Sequence, residues 1–112
     1  MNPRSSKAKG RRLQNCLRDL LKVAFPSLRD DDIKSQTMGM TGEDIVFSPA
    51  AQDCIPYSFE CKNQERLQLW SAIAQAEENS GARTPVLVIK RNQTSPYAVL
   101  PLDAFMGLIK ED

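Results

Sequence analysis

The run Pro85-Val-Leu-Val-Ile89 constrains the fold more than any other stretch of this chain. It is an apolar strand without polar alternation, and such a strand sits at the centre of a sheet, covered on both faces. The elements around it follow from periodicity. Between Lys7 and Phe25, apolar residues recur at Leu13, Cys16, Leu17, Leu20, Leu21 and Ala24, the stripe of an amphipathic helix, which Pro26 stops. A short strand is expected around Ile33–Gln36, a second over Ile45–Phe47 closed by Ser48-Pro49, and a third over Tyr57–Cys61. Asn63 reads as a helix N-cap with Glu65 in the first turn, and the helix runs to Asn79-Ser-Gly81. Trp70 lies on its apolar stripe, which points to core packing or a dimer seam. Tyr97–Leu100 and Leu102–Lys110 complete the chain as a strand and a closing helix. The expectation is an α/β domain over residues 7–112, preceded by a flexible basic arm over residues 1–6. Its order is α-β-β-β-α-β-β-α, with a mixed sheet of about five strands flanked by helices.

Absent residue types narrow the chemistry. None of the 112 residues is histidine, which removes imidazole-based triads, histidine-ligated zinc and histidine general-base nucleases. Catalysis would have to use carboxylates, lysine, cysteine or a bound cation. The three cysteines, Cys16, Cys54 and Cys61, form no CxxC pair, so they read as reduced thiols in a cytoplasmic protein rather than as a zinc site. No apolar run is long enough for a membrane span or a signal peptide. The expected setting is a bacterial or phage-infected cell, with no membrane partner.

The net charge of +1 conceals a split. Residues 1–29 carry eight basic side chains against Asp19 alone, and residues 30–112 carry seven basic and thirteen acidic ones. One reading is a basic end that meets a polyanion; the other is a solvated, frayed terminus.

One constellation stands out. Asp44 opens a strand, and Glu60-Cys61-Lys62 lies at the end of the next, after the glycine-bearing loop 38–42. Period-2 geometry sets Glu60 and Lys62 on one face, about 6.5–7 Å apart. If the two strands pair as an antiparallel hairpin, Asp44 comes opposite that end. Asp44, Glu60 and the carbonyl of Cys61 would then form an oxygen-rich site suited to Mg²⁺, with Mn²⁺ able to substitute. A neighbouring ammonium, Lys62, would help orient or deprotonate a metal-bound water and offset charge in the transition state at a scissile phosphate. The plain alternative is a Glu–Lys pair on the solvent face of an edge strand.

With Gly42-Glu-Asp-Ile-Val-Phe47 followed by Phe59-Glu-Cys-Lys62, and a leading helix through Lys9-Gly-Arg-Arg-Leu-Gln14, the sequence resembles the PD-(D/E)xK nuclease superfamily. It is most similar to small phage-type endonucleases and to archaeal-type Holliday-junction resolvases. The resemblance spans roughly residues 7–101 and implies a restriction-endonuclease-like core. It also implies Asp44 and Glu60 as metal-binding acids and Lys62 as the catalytic lysine. Glu43 stands where the family has proline, which would bring another carboxylate near the metal. Gln14 stands where resolvase-like members carry a helix-borne glutamate. Gln64 would touch the water or the phosphate. Arg4, Lys7, Lys9, Arg11, Arg12 and Gln14, with Lys34 and Ser35 bordering the site, would contact the DNA backbone. The expected activity is a Mg²⁺-dependent DNA endonuclease, structure-selective and homodimeric, acting on branched DNA. A catalytically inactive DNA-binding protein of the same fold is the alternative, and a small interaction domain with a chance D…ExK is a third.

Overall fold

The computed structural model describes residues 3–37 and 42–111. Among these residues, four α-helices and five strands follow one another as α1 (Pro3–Ala24), β1 (Ile33–Ser35), β2 (Ile45–Phe47), α2 (Pro49–Cys54), β3 (Tyr57–Asn63), α3 (Leu69–Ser80), β4 (Thr84–Lys90), β5 (Tyr97–Val99) and α4 (Leu102–Ile109). The apolar run at 85–89 is the centre of its sheet. β4 pairs in parallel with β3 and antiparallel with β5, with Glu60 opposite Leu87 and Val88 opposite both Cys61 and Ala98. The parallel pair requires a crossover, which α3 supplies.

β4 is buried on both faces, and each face has its own core. Val86 and Val88 join Phe59, Cys61, Ile33, Ile45, Phe47, Ala51 and Ile55 beneath Leu13 and Leu21 of α1. Leu87 packs on the other side against Ala72 and Ala76 of α3. Phe47 and Phe59 meet edge to face at 6.1 Å, a favoured aromatic geometry. The sheet therefore lies between two helices, and the alternation along β3 decides what each helix meets: Phe59 and Cys61 turn to α1, and Ser58 and Glu60 turn to the α3 side.

Several expectations need correction. The five strands do not form one ladder. β1 and β2 make a two-stranded antiparallel sheet, and β3–β4–β5 make a separate three-stranded one. They meet where the Asp44 N–H donates to the Phe59 carbonyl at 3.0 Å. Between β2 and β3 lies α2, which the periodicity did not predict because six residues are too few to show it. Its start is nevertheless written in Ser48-Pro49. The Ser48 hydroxyl accepts from Ala51 N–H at 3.1 Å, and proline takes the first turn. The same hydroxyl donates to Asp32 at 2.6 Å and, with the Arg29 N–H, lowers that carboxyl's pKa.

The second correction concerns α3, which begins at Leu69 rather than near Asn63. Asn63 remains in β3, and the Gln64 N–H continues the pairing to the Lys90 carbonyl at 3.0 Å. Glu65 is occupied by the Asn92 N–H at 2.6 Å and the Lys9 ammonium at 3.3 Å, so it does not serve the first turn of a helix, and the chain bends at Glu65–Arg66 before α3. Third, Trp70 is not core: it is 78% exposed. At the amino end, α1 starts at Pro3, ahead of the expected Lys7. The loop Met38–Thr41 lies outside the described residues.

Leu87→Ala empties the α3-side core and is expected to lower stability by about 3 kcal/mol. Ser48→Ala, which removes a cap, should cost about 1–2 kcal/mol. Val46→Ala on the exposed side of β2 should change it by less than about 0.5 kcal/mol. Urea titrations of the three variants measure this ranking.

Candidate active site

The site grows from the alternation of β3. Glu60 points to the α3 side and is 4% exposed, and Lys62, two residues on, is half-buried on the same face. The solvent-facing Glu–Lys pair is thus excluded for Glu60. Asp44 arrives from the neighbouring sheet, not through a regular hairpin ladder, and is fastened to β3 at two points. Its own N–H donates to the Phe59 carbonyl, and its carboxylate accepts the Cys61 N–H at 2.6 Å. An N–H bound to a carboxylate is a strong, short hydrogen bond, and it sets the Asp44 carboxyl beside that of Glu60.

The two carboxyls are within hydrogen-bonding reach of each other, and both are pushed toward holding a proton. Burial pushes Glu60 up to about 7, with the Asp44 charge adding to it; the Asn79 amide and Lys62 pull the other way. Asp44 is also raised by burial, against the opposing pull of the Cys61 N–H, Lys62 and the Gln14 amide. Two acids that cannot both ionise comfortably make a site that lacks positive charge. The Cys61 thiol lies on the other face in the α1 core, where burial and the two carboxylates push its pKa up. It is inert as a nucleophile. Its main chain is better placed: the Cys61 N–H faces Asp44, and strand geometry turns the carbonyl of the same residue to the same side.

These groups line a cleft of about 700 Å³. α1 contributes Ser6, Lys7, Gly10 and Gln14, and α3 contributes Gln75, Glu78 and Asn79. Asn79 is the residue that sequence reading missed. Its place in Asn79-Ser-Gly81 reads as a helix end, yet its amide donates to Glu60 Oε2 at 3.2 Å and to the Gly42 carbonyl at 3.4 Å. Only the α3 crossover brings it there, so no spacing along the chain signals it.

The structure brings together Asp44, Glu60, Lys62, Gln64 and Gln14, all lining the cleft, with Gln64 exposed. Several expected surface contacts are corrected. Gln14 is no DNA-facing residue: it is 6% exposed, its amide meets Asp44, and its Oε1 has no hydrogen-bond partner. Lys9 is equally buried, paired with Glu65, while its carbonyl accepts from Asn63 at 3.2 Å. It therefore holds α1 to the end of β3 instead of reaching solvent. Ser35 donates to Asn15 at 2.8 Å, which ties β1 to α1. Lys34 is exposed but leans toward Asp31 at 3.9 Å. Glu43 is not a further carboxylate at the site, because Arg83 engages it, and the Arg83 guanidinium stacks 5.5 Å above the Phe47 ring. Lys7, Arg11 and Arg12 are exposed. The side chain of Arg4 lies outside the described residues.

As a cation site, the donor set is two carboxylates, the Cys61 carbonyl and the unpartnered Gln14 Oε1. Among the described residues, no three histidine, cysteine, aspartate or glutamate side chains converge. A closed protein cage of the zinc kind is therefore not built here. Magnesium keeps several waters and takes one or two carboxylates, so the residues present fit it. Among the described residues, no helix is long and apolar enough to cross a membrane.

A carboxyl whose pKa is raised by the fold stabilises the fold in its neutral form. That contribution is complete below the ordinary value of 4.5 and is lost as the pH rises through about 7. Without divalent cation, stability is expected to fall over this window. Glu60→Gln should raise the melting midpoint at pH 8 by about 5–10 °C and change it little at pH 4. Calorimetry in the presence of EDTA measures both. No protein-family model, curated protein or solved structure matches the chain, and the cleft is read on its own geometry.

Proposed function

We propose that the chain is a Mg²⁺-dependent DNA endonuclease of the PD-(D/E)xK type, selective for branched or otherwise structured duplex and similar to a Holliday-junction resolvase. The observation that carries this reading is the buried Asp44–Glu60 carboxyl pair on a cleft floor with Lys62 beside it. The element order supports it. The resemblance implies a helix, a three-stranded meander, a helix and a further strand; α1, three strands, α3 and β4 follow in that order, with α2 inserted between β2 and β3 and no continuous meander ladder.

Asp44, Glu60 and the Cys61 carbonyl would hold the cation, which when bound supplies a Lewis acid for the phosphodiester and a water of lowered pKa. The protein supplies the rest. The Cys61 N–H fixes the Asp44 carboxylate, and Asn79 fixes that of Glu60, so both ligands are oriented before anything binds. The Lys62 ammonium stands where it can hydrogen-bond and orient the attacking water and stabilise the charge that develops on the phosphoryl oxygens. Gln64, exposed at the cleft, is within the same surface and would hydrogen-bond the phosphate. Lys7, Arg11 and Arg12 would bind the backbone on either side without reading bases. Cutting two strands symmetrically takes two such sites related by a twofold axis, hence a homodimer.

The inactive alternative draws on one observation, the neutral Gln14 where resolvase-like members carry an acid. It predicts salt-dependent DNA binding with no nicked or linear product.

Incubation with Mg²⁺ or Mn²⁺ and a panel of four-way junction, flap, nicked duplex and single strand separates the readings. Cleavage is expected, and Asp44→Asn, Glu60→Gln and Lys62→Ala should each reduce it by about 10³-fold or more while binding persists. Undiminished cutting by the Glu60 variant would refute the assignment. In binding titrations against salt, Arg11→Ala and Arg12→Ala should each lower the log–log slope by about 1. Lys9→Ala should leave the slope unchanged and lower stability instead.

A further inference from the structure

We infer that α4 is the twofold contact of a homodimer in which the helix packs antiparallel against its own copy. This inference stands apart from the nuclease reading, since it uses none of the cleft residues.

The helix cannot be explained by its own chain. It has eight residues, none of them buried. Isolated helices shorter than about 12–15 residues are marginal in water, and packing of an apolar face normally holds them. Here that face is open. Leu102, Phe105, Met106 and Ile109 fall at i, i+3, i+4 and i+7, a single stripe, and all four are exposed. The stripe continues into a groove where Leu102 and the exposed Trp70 line the same opening between α3 and β5. A contiguous apolar surface of this sort marks an interaction site.

Two observations select a second copy as the occupant. The first is charge. Asp103 and Lys110 are seven residues apart and hence on the same flank of the stripe. About a twofold axis, each flank of an antiparallel pair meets its own copy running the other way, and Asp103 then faces the partner's Lys110 twice. A parallel pair would join opposite flanks and leave both charges unmatched. Asp103 also lies in the first turn of α4, where a carboxylate suits the helix dipole.

The second observation is area. By their fractional exposures, the four stripe residues with Trp70 and Leu108 leave on the order of 800 Å² open per copy, the size of a standard specific interface. The aromatic members, Trp70 and Phe105, are of the type that anchors such contacts.

Sedimentation velocity of the whole chain at about 1–100 µM is expected to show a dimer, and Phe105→Glu should convert it to monomer. Asp103→Lys and Lys110→Glu, taken singly, oppose like charges twice and should raise the dissociation constant about three- to tenfold, whereas the double reversal should restore it. The double variant also shows that the single ones are folded. A monomer at every concentration would overturn the inference. So would a dimer indifferent to Phe105→Glu, or a double reversal no better than its parents. None of these readouts involves DNA cleavage, so failure of the nuclease reading and failure of the dimer are told apart.

Discussion

The cleft depends on one hydrogen bond, from the Cys61 N–H to the Asp44 carboxylate. The two sheets of this protein share only a brief backbone meeting, and a short strand such as β2 has little else to hold Asp44, the residue just before it, in register with β3. By accepting a main-chain donor, the Asp44 side chain completes the pairing that the backbone leaves unfinished at the edge. A structural bond between strands thereby becomes the device that sets two carboxyls side by side. The fold pays for that proximity with the raised proton affinity of Glu60, held in place by burial under α3 and by the packing of Leu87 against Ala72 and Ala76 of the same helix.

How far the site could be read in advance follows from where its parts lie along the chain. Asp44, Glu60 and Lys62 were legible because strand period alone places the last two on one face, and the glycine-flanked strand start marks the first. β4 was legible because five consecutive apolar residues admit few alternatives. What could not be read came from tertiary partners. Asn79 sits nineteen residues from Glu60 in sequence and reaches it only through the crossover. Lys9 and Gln14 looked like members of a basic face, but Lys9 turns inward to Glu65, fifty-six residues away, and Gln14 turns to Asp44. The start of α3 was displaced for the same reason: Glu65 has better partners than the first turn of a helix.

These buried polar contacts also divide the basic residues of α1 into two jobs. Lys9 and the amide of Asn63 bind the helix to the end of β3, so α1 is a fixed wall of the cleft rather than a loosely attached arm. Lys7, Arg11 and Arg12 remain outside, carried by that wall at a set distance from the acids. A polyanion drawn to them would be delivered to the cleft mouth in a defined orientation, because the cations cannot swing independently of the site.

The alternation of β3 has one more outcome. Position 61 is held by its neighbours through its peptide group alone, while its side chain faces the opposite layer among Phe59, Val86 and Val88. The middle residue of Glu-Cys-Lys is thus governed by volume and not by reactivity. Any small apolar residue that fills the α1-side core keeps the amide on Asp44, and proline, which has no N–H to give, is the one substitution that would unseat the aspartate without touching an acid.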